Sequence, residues 1–163
     1  MPFAYVDLDR FDKNVQEVLA RAGTMKIRIA SKSVRCTALL RRVLDTSPQY
    51  QGLMAYSARE AAFLAAQGFD DILVAYPVLG ELAVSGVCEA VRAGKVVTLM
   101  IDCPEHVERA ESVAAAADVT LGLCIDVDMS SRYPGLHFGV HRSNVTTAEQ
   151  ALELHKLIRS RDH

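Results

Sequence analysis

Lys32 stands between two serines in the run I-R-I-A-S-K-S-V-R, residues 27–35. The segment before it alternates in character. Met25, Ile27 and Ile29 fall on one side of an extended strand, and Lys26, Arg28, Ala30 and Lys32 on the other. A lysine ending such a strand suits one chemistry above others, attack of a neutral amine on a carbonyl to form a Schiff base. A lysine amine is ordinarily too basic for this at neutral pH. Arg28, on the same face, is the expected source of like-charge repulsion, helped by desolvation. The plain alternative is a solvated lysine, the usual state of this residue.

Other reactive side chains cluster where apolar runs stop: Tyr56 with Ser57, Tyr76, Asp102, and Asp126 with Asp128. In V-T-L-G-L-C-I-D-V-D, Leu121, Leu123, Ile125 and Val127 share one face, and Cys124, Asp126 and Asp128 the other. In V-V-T-L-M-I-D, Val97, Leu99 and Ile101 oppose Thr98, Met100 and Asp102. If the apolar faces pack under helices, one lumen receives Lys26, Arg28, Lys32 and the three acids. The competing reading makes the acids helix N-caps. His137 and His141 have metal-like spacing but are read as polar loop residues, so no metal ligand is expected. Cys36, Cys88, Cys103 and Cys124 lack paired spacing and are read as reduced thiols, with Cys103 and Cys124 as small core residues.

The elements that must position these groups follow from periodicity. F-A-Y-V-D-L reads as a first strand, then a helix with Phe11, Val15, Val18 and Leu19 on one stripe stops at Gly23. Strand Lys26–Ala30 leads through Ser31, Lys32 and Ser33 to a helix around Thr37–Leu44. G-L-M-A-Y and D-I-L-V-A-Y are strands. Between them lies a helix that opens with Ser57 and Glu60 in capping-box spacing. A helix from about Gly80 to Ala93, strand V-V-T-L-M-I, a helix with Pro104 in its first turn and strand V-T-L-G-L-C-I-D-V follow. An irregular stretch then precedes a last helix, from about Thr147 to Ile158. Strand starts recur every 20 to 26 residues or so, short for a doubly wound sheet and normal for a (β/α)8 barrel. No G-x-G-x-x-G turn follows the early strands. The expected fold is α/β, an incomplete (β/α)8 TIM-barrel type with about five to six βα units.

Composition narrows the function classes. The chain has 163 residues, half of them hydrophobic, enough for a real core in one domain. A net charge of −2 gives no reason to expect nucleic acid or an anionic membrane as partner. The acids at positions 7 and 9 are unlike a signal peptide, and a cytoplasmic protein is expected.

Several motifs, taken in order, resemble one family. P-F-A-Y-V-D-L-D-R-F-D-K-N-V resembles the opening of alanine racemase-like barrels, the fold-type III pyridoxal-phosphate proteins. R-I-A-S-K-S-V-R is similar to the R-P-H-x-K-T-H-K segment of the D-threonine aldolase and D-serine dehydratase branch, with Arg28, Lys32 and Arg35 in matching places. Its departures are Ile29 for proline, Ala30 and Val34 for the histidines, and Ser33 for threonine. The spelling is nearer to proteins described as amino acid deaminase/aldolase. G-L-M-A-Y-S-A-R-E-A-A-F-L-A-A-Q-G-F-D-D-I-L-V-A-Y-P fits the same family, with Asn14 and Glu60 at family positions. D-V-D-M-S-S-R-Y-P-G-L-H-F-G-V is similar to D-x-G-M-x-R-x-G, with Asp126, Met129, Arg132 and Gly139 as matches around an insertion.

The resemblance implies pyridoxal 5'-phosphate as cofactor and Lys32 as its internal-aldimine lysine. Arg28, Arg35, Tyr56 and Arg132 would be cofactor contacts, and Asp102, Asp126, Asp128 and His137 further candidates at the barrel mouth. The substrate would be a small amino acid of D type, undergoing racemisation, deamination or aldol cleavage. Residues 1–163 would form the N-terminal part of the barrel domain, without the family's C-terminal β domain. The family's phosphate and metal ligands belong to later units. A homodimer, or a separate chain supplying the rest of the barrel, is an expected partner. The alternatives are a non-catalytic pyridoxal-phosphate carrier, a Schiff-base aldolase needing no cofactor, and an inactive remnant.

Overall fold

Residues 2–163 are described by the structure, a computed structural model. Alternating apolar positions give five short strands: β1 (Ile27–Ala30), β2 (Tyr50–Ala55), β3 (Ile72–Val74), β4 (Val97–Ile101) and β5 (Gly122–Ile125). They form one parallel sheet in the order β1-β2-β3-β4-β5. Helices α3 (Thr37–Thr46), α4 (Ala58–Ala66), α5 (Glu81–Arg92) and α6 (Pro104–Ala117) connect successive strands. Strand order that follows chain order without reversal is the arc of a (β/α) barrel, not a doubly wound sheet.

Register explains the core. Ile29, Leu53, Ile72 and Val97 are neighbours across β1 to β4, and Ala55, Val74, Leu99 and Leu123 form the next row across β2 to β5. All but the edge residue Leu123 are buried, together with Val84, Val87, Ala110 and Ala114 of the covering helices. The opposite face carries Ala30, Met54, Leu73, Thr98 and Gly122 in register, each only half-covered or open. This is the lumen side, and the expected helix-facing role of Val97, Leu99 and Ile101 holds. Helix α1 (Leu8–Ala22) is capped by Asp7, whose carboxylate accepts from Arg10 N, and the Tyr50 hydroxyl donates to Val15 O at 2.7 Å. Helix α7 (Ala148–Arg159) closes a second cluster, Leu154 and Val145 against Ile101 and Val107. Among the described residues no helix is long and apolar enough to cross a membrane.

Three local expectations are corrected. F-A-Y-V-D-L is not a strand: Phe3 and Tyr5 are 84% and 82% exposed, and the segment has no ladder partner to satisfy its backbone. The count of parallel strands is therefore five. Ser31–Val34 is a short helix, α2, rather than an extended link. The irregular stretch contains an antiparallel hairpin, β6 (Ser131–Tyr133) with β7 (Leu136–Phe138). Its turn is Pro134-Gly135, with the Gly135 φ of 74° that such a turn requires.

Candidate functional site

Lys32 lies just past the C-terminal end of β1, where the chain leaves the strand and winds into α2. The turn is closed by Arg35, whose N–H donates to Ser31 O at 2.8 Å and whose Nε donates to Lys32 O at 2.9 Å. Helical winding lifts Lys32 out of the strand's alternation, so its side chain is exposed at the mouth. The two other cations of the expected basic face do not join it. Lys26 is exposed and donates to Pro48 O at 3.0 Å. Arg28 donates Nη2 to Asp71 Oδ1 at 2.8 Å and Nη1 to the carbonyls of Leu53 and Asp71. The repulsive partnership of Arg28 with Lys32 is thus replaced by an ion pair between β1 and the start of β3.

A buried frame holds the base of Lys32. Ser31 has no solvent exposure, and its Oγ lies 2.9 Å from Glu60 Oε1 and 3.2 Å from Met54 O. The other oxygen of Glu60 accepts from Tyr56 N at 2.7 Å, and Ser57 Oγ accepts from Glu60 N. The capping pair read from sequence is half of a larger device. One carboxylate joins the ends of β1 and β2 to the first turn of α4. Ser31 was missed because a serine beside a lysine carries no periodic signal.

Four strand ends meet in a row of rings and cations. Lys32 Nζ is 5.8 Å from the centre of the Tyr56 ring, and Tyr56 and Tyr76 meet edge-on at 5.2 Å. The guanidinium of Arg142 lies 5.0 Å over Tyr76, with its Nε 3.5 Å from Asp126 Oδ2. Cations over ring faces are drawn by the ring quadrupole. Asp126 is held by its own backbone: its N–H donates to Ile101 O, and its carbonyl accepts from Ser143 Oγ at 2.6 Å. Arg142 is the cation that sequence reasoning passed over, because Arg132 drew the motif match. The structure places Arg132 on the exposed hairpin strand β6, opposite His137 of β7. His137 is exposed and meets His141 edge-on with ring centres 5.9 Å apart.

The remaining acids separate. Asp128 accepts from Ser130 N at 2.8 Å, and the Ser130 side chain and backbone hold its carboxyl below the usual range. Asp102 is 6% exposed and neither caps a helix nor joins Lys32. Its Oδ2 accepts from the backbone N and the Nδ2 of Asn144, both at 3.1 Å, and Cys103 takes the N-cap position of α6. Burial pushes the Cys103 thiol up, reinforced by its hydrogen bond to Glu105.

Beside Lys32 opens a cavity of about 420 Å³ lined by Lys32, Arg35, Tyr56, Ser57 and Glu60 among others. Its donor set, a primary amine with an aromatic ring beside it and a guanidinium on the same rim, fits an aromatic aldehyde bearing an anionic group. Lys32 would hold the aldehyde carbon and Tyr56 the ring, with the Arg35 guanidinium on the same rim.

Five consecutive parallel strands, with Lys32 just past the end of β1 and a cation–aromatic row reaching the ends of β2, β3 and β5, define part of a (β/α) barrel. Residues 6–161 match the family described as alanine racemase, N-terminal domain, and the chain belongs to that family. D-threonine aldolase from Filomicrobium marinum superposes with a TM-score of 0.81 at 19% identity, covering 96% of this chain and 40% of that one. D-threo-3-hydroxyaspartate dehydratase from Delftia sp. HT23 gives 0.71 at 18% identity, covering 95% and 39%. An alanine racemase-like protein from Idiomarina loihiensis gives 0.71 at 16%, covering 92% and 38%. The chain therefore spans about 40% of the length of the structures it resembles. No curated protein sequence matches it significantly.

Proposed function

We propose that this chain is the cofactor-binding part of a pyridoxal-phosphate enzyme acting on a small D-3-hydroxy amino acid, with Lys32 bonded to the cofactor. The observation that carries the reading is the position of Lys32 at the end of β1, heading the row Tyr56, Tyr76, Arg142. The substrate class is supported by two structural relatives, one an aldolase for D-threonine and one a dehydratase for D-threo-3-hydroxyaspartate.

When bound, the cofactor supplies an electron sink that weakens the bonds at the substrate Cα. The residues of this chain supply the rest. Lys32 Nζ would be the group placed to hold a proton for, or return one to, the substrate Cα. Tyr56 would pack beside the ring, and Arg35 adds positive charge on the same rim. Arg142, steadied by Tyr76 and Asp126, is suited to hold a substrate carboxylate through paired N–H donors.

A closed barrel of this type has eight strands, and the sheet here leaves β1 and β5 as edges. We infer that those edges meet further strands outside residues 1–163. The four free cysteines favour a reducing, cytoplasmic setting.

Borohydride reduction of the purified chain with pyridoxal phosphate, followed by peptide mapping, tests the assignment. The label is expected on Lys32 in excess over Lys13, Lys26, Lys95 and Lys156. Equal labelling of all five lysines overturns it. Release of glycine and acetaldehyde from D-threonine would establish catalysis, whereas labelling of Lys32 without turnover would favour a cofactor carrier.

A further inference from the structure

At the opposite side of the sheet arc from Lys32, the turn between β4 and α6 brings together three side chains of D-C-P-E-H, residues 102–106. Asp102 Oδ1 lies 2.8 Å from His106 Nδ1, and Cys103 Sγ lies 3.1 Å from the same nitrogen. Asp102 closes the strand, Cys103 is the N-cap of α6, and His106 follows within its first turn. The i, i+1, i+4 spacing at a helix start converges all three on one point.

We propose that Asp102, Cys103 and His106 form a binding site for a borderline divalent cation, zinc by the chemistry of the set. Thiolate, imidazole and carboxylate are the ligands zinc takes together. One donor atom from each residue lies within 4.8 Å of the other two. A tetrahedral zinc holds neighbouring donors about 3.3–3.6 Å apart, so small outward rotations of these side chains admit the ion.

A second observation points to a ligand. Asp102 is more than nine-tenths buried, and among the described residues its Oδ1 has no aligned hydrogen-bond donor. Its other oxygen already accepts twice from Asn144. A carboxylate oxygen held in a low-dielectric setting without a donor is costly unless a cation meets it. It is directed at the imidazole nitrogen that the thiol also approaches.

The same geometry argues against a nucleophilic Cys-His-Asp relay. Such a relay needs the thiol on one ring nitrogen and the carboxylate on the other. Here both approach Nδ1, which suits a shared cation and not a proton relay. A cleft of about 240 Å³ borders Asp102 and Cys103, leaving room for water as fourth ligand. On binding, Cys103 gives its thiol proton to solvent. The site has a structural consequence at the mouth. Asp102 holds Asn144, two residues beyond Arg142, so the ion would fasten the segment that carries Arg142 to the end of β4.

Cobalt titration of the reduced, chelator-treated chain tests the proposal. One cobalt per chain is expected, with a thiolate-to-metal charge-transfer band that is lost in Cys103→Ser and His106→Asn. In the unaltered chain, zinc should slow alkylation of Cys103 while leaving that of the exposed Cys36 unchanged. Absence of the band, its survival in Cys103→Ser, or alkylation of Cys103 at an unchanged rate overturns the site. If the variants do not fold, the alkylation result on the unaltered chain decides alone.

Discussion

Arg28 and Asp71, forty-three residues apart, are joined by a guanidinium–carboxylate contact of 2.8 Å that crosses β2 at Gly52. Gly52 has a φ of 65° and sits where the pairing of β1 with β2 shifts register. An ideal Cβ at this position would lie 2.0 Å from Asp71 O and 2.7 Å from Arg28 Nη1. The missing side chain is what lets the arginine pass. A cation that sequence alternation assigned to a reactive lumen is instead a cross-strand tie.

Gly52→Ala should therefore destabilise the fold by about 2 kcal/mol or more, through left-handed strain and a backbone clash together. Urea unfolding followed by circular dichroism measures it. A loss below ~0.5 kcal/mol would mean that the crossing relaxes easily.

Lys32→Ala should abolish the preferred reductive labelling with pyridoxal phosphate while changing stability by no more than about 0.5 kcal/mol, because Lys32 is exposed. Peptide mapping and urea midpoints on the same preparations check both halves. A large stability loss would mark the lysine as structural.

Ser31→Ala removes the hydroxyl between Glu60 and the Met54 carbonyl inside a site with no solvent exposure. A cost of about 1–2 kcal/mol is expected from the donor lost to Glu60. Hydrogen exchange at Tyr56 N, held by the same carboxylate, should rise with it.

Asp70 predicts an acid-side dependence of stability. Its Oδ1 accepts from Val96 N at 2.7 Å and Asp71 N at 2.8 Å. The bond from Val96 is the chief cause that draws its pKa below the usual 3.8, with a smaller part from Lys95. A lowered folded-state pKa means that the stabilisation is complete above the unfolded value and is lost as pH falls through the folded one. Asp70→Asn should thus be less stable than the unaltered chain at pH 7, and the difference should shrink as the pH drops below about 4. Urea midpoints across that range test the sign. A gap that stays constant with pH would remove the carboxylate from the account.

Much of the fold was legible because burial imposes local periods. Val97, Leu99 and Ile101 had to face helices whatever covered them, and Pro104 could only stand in a first turn. The regular spacing of strands carried the barrel reading in the same way. F-A-Y-V-D-L shows the limit: its apolar residues suit a strand, but a strand needs a partner, and pairing is not a local property.

The sequence by itself determined the strand-and-helix order, the covered face of each strand and the prominence of Lys32, because these depend on residues a few positions apart. Only the tertiary structure decided the partners. Arg28 went to Asp71, Arg142 rather than the motif-matched Arg132 came to the strand-end row over Tyr76, and Asp102 turned to Asn144 and His106. Each of these charges had several possible counterparts along the chain. Which one it meets depends on how the strands come into register and on which groups burial leaves without water.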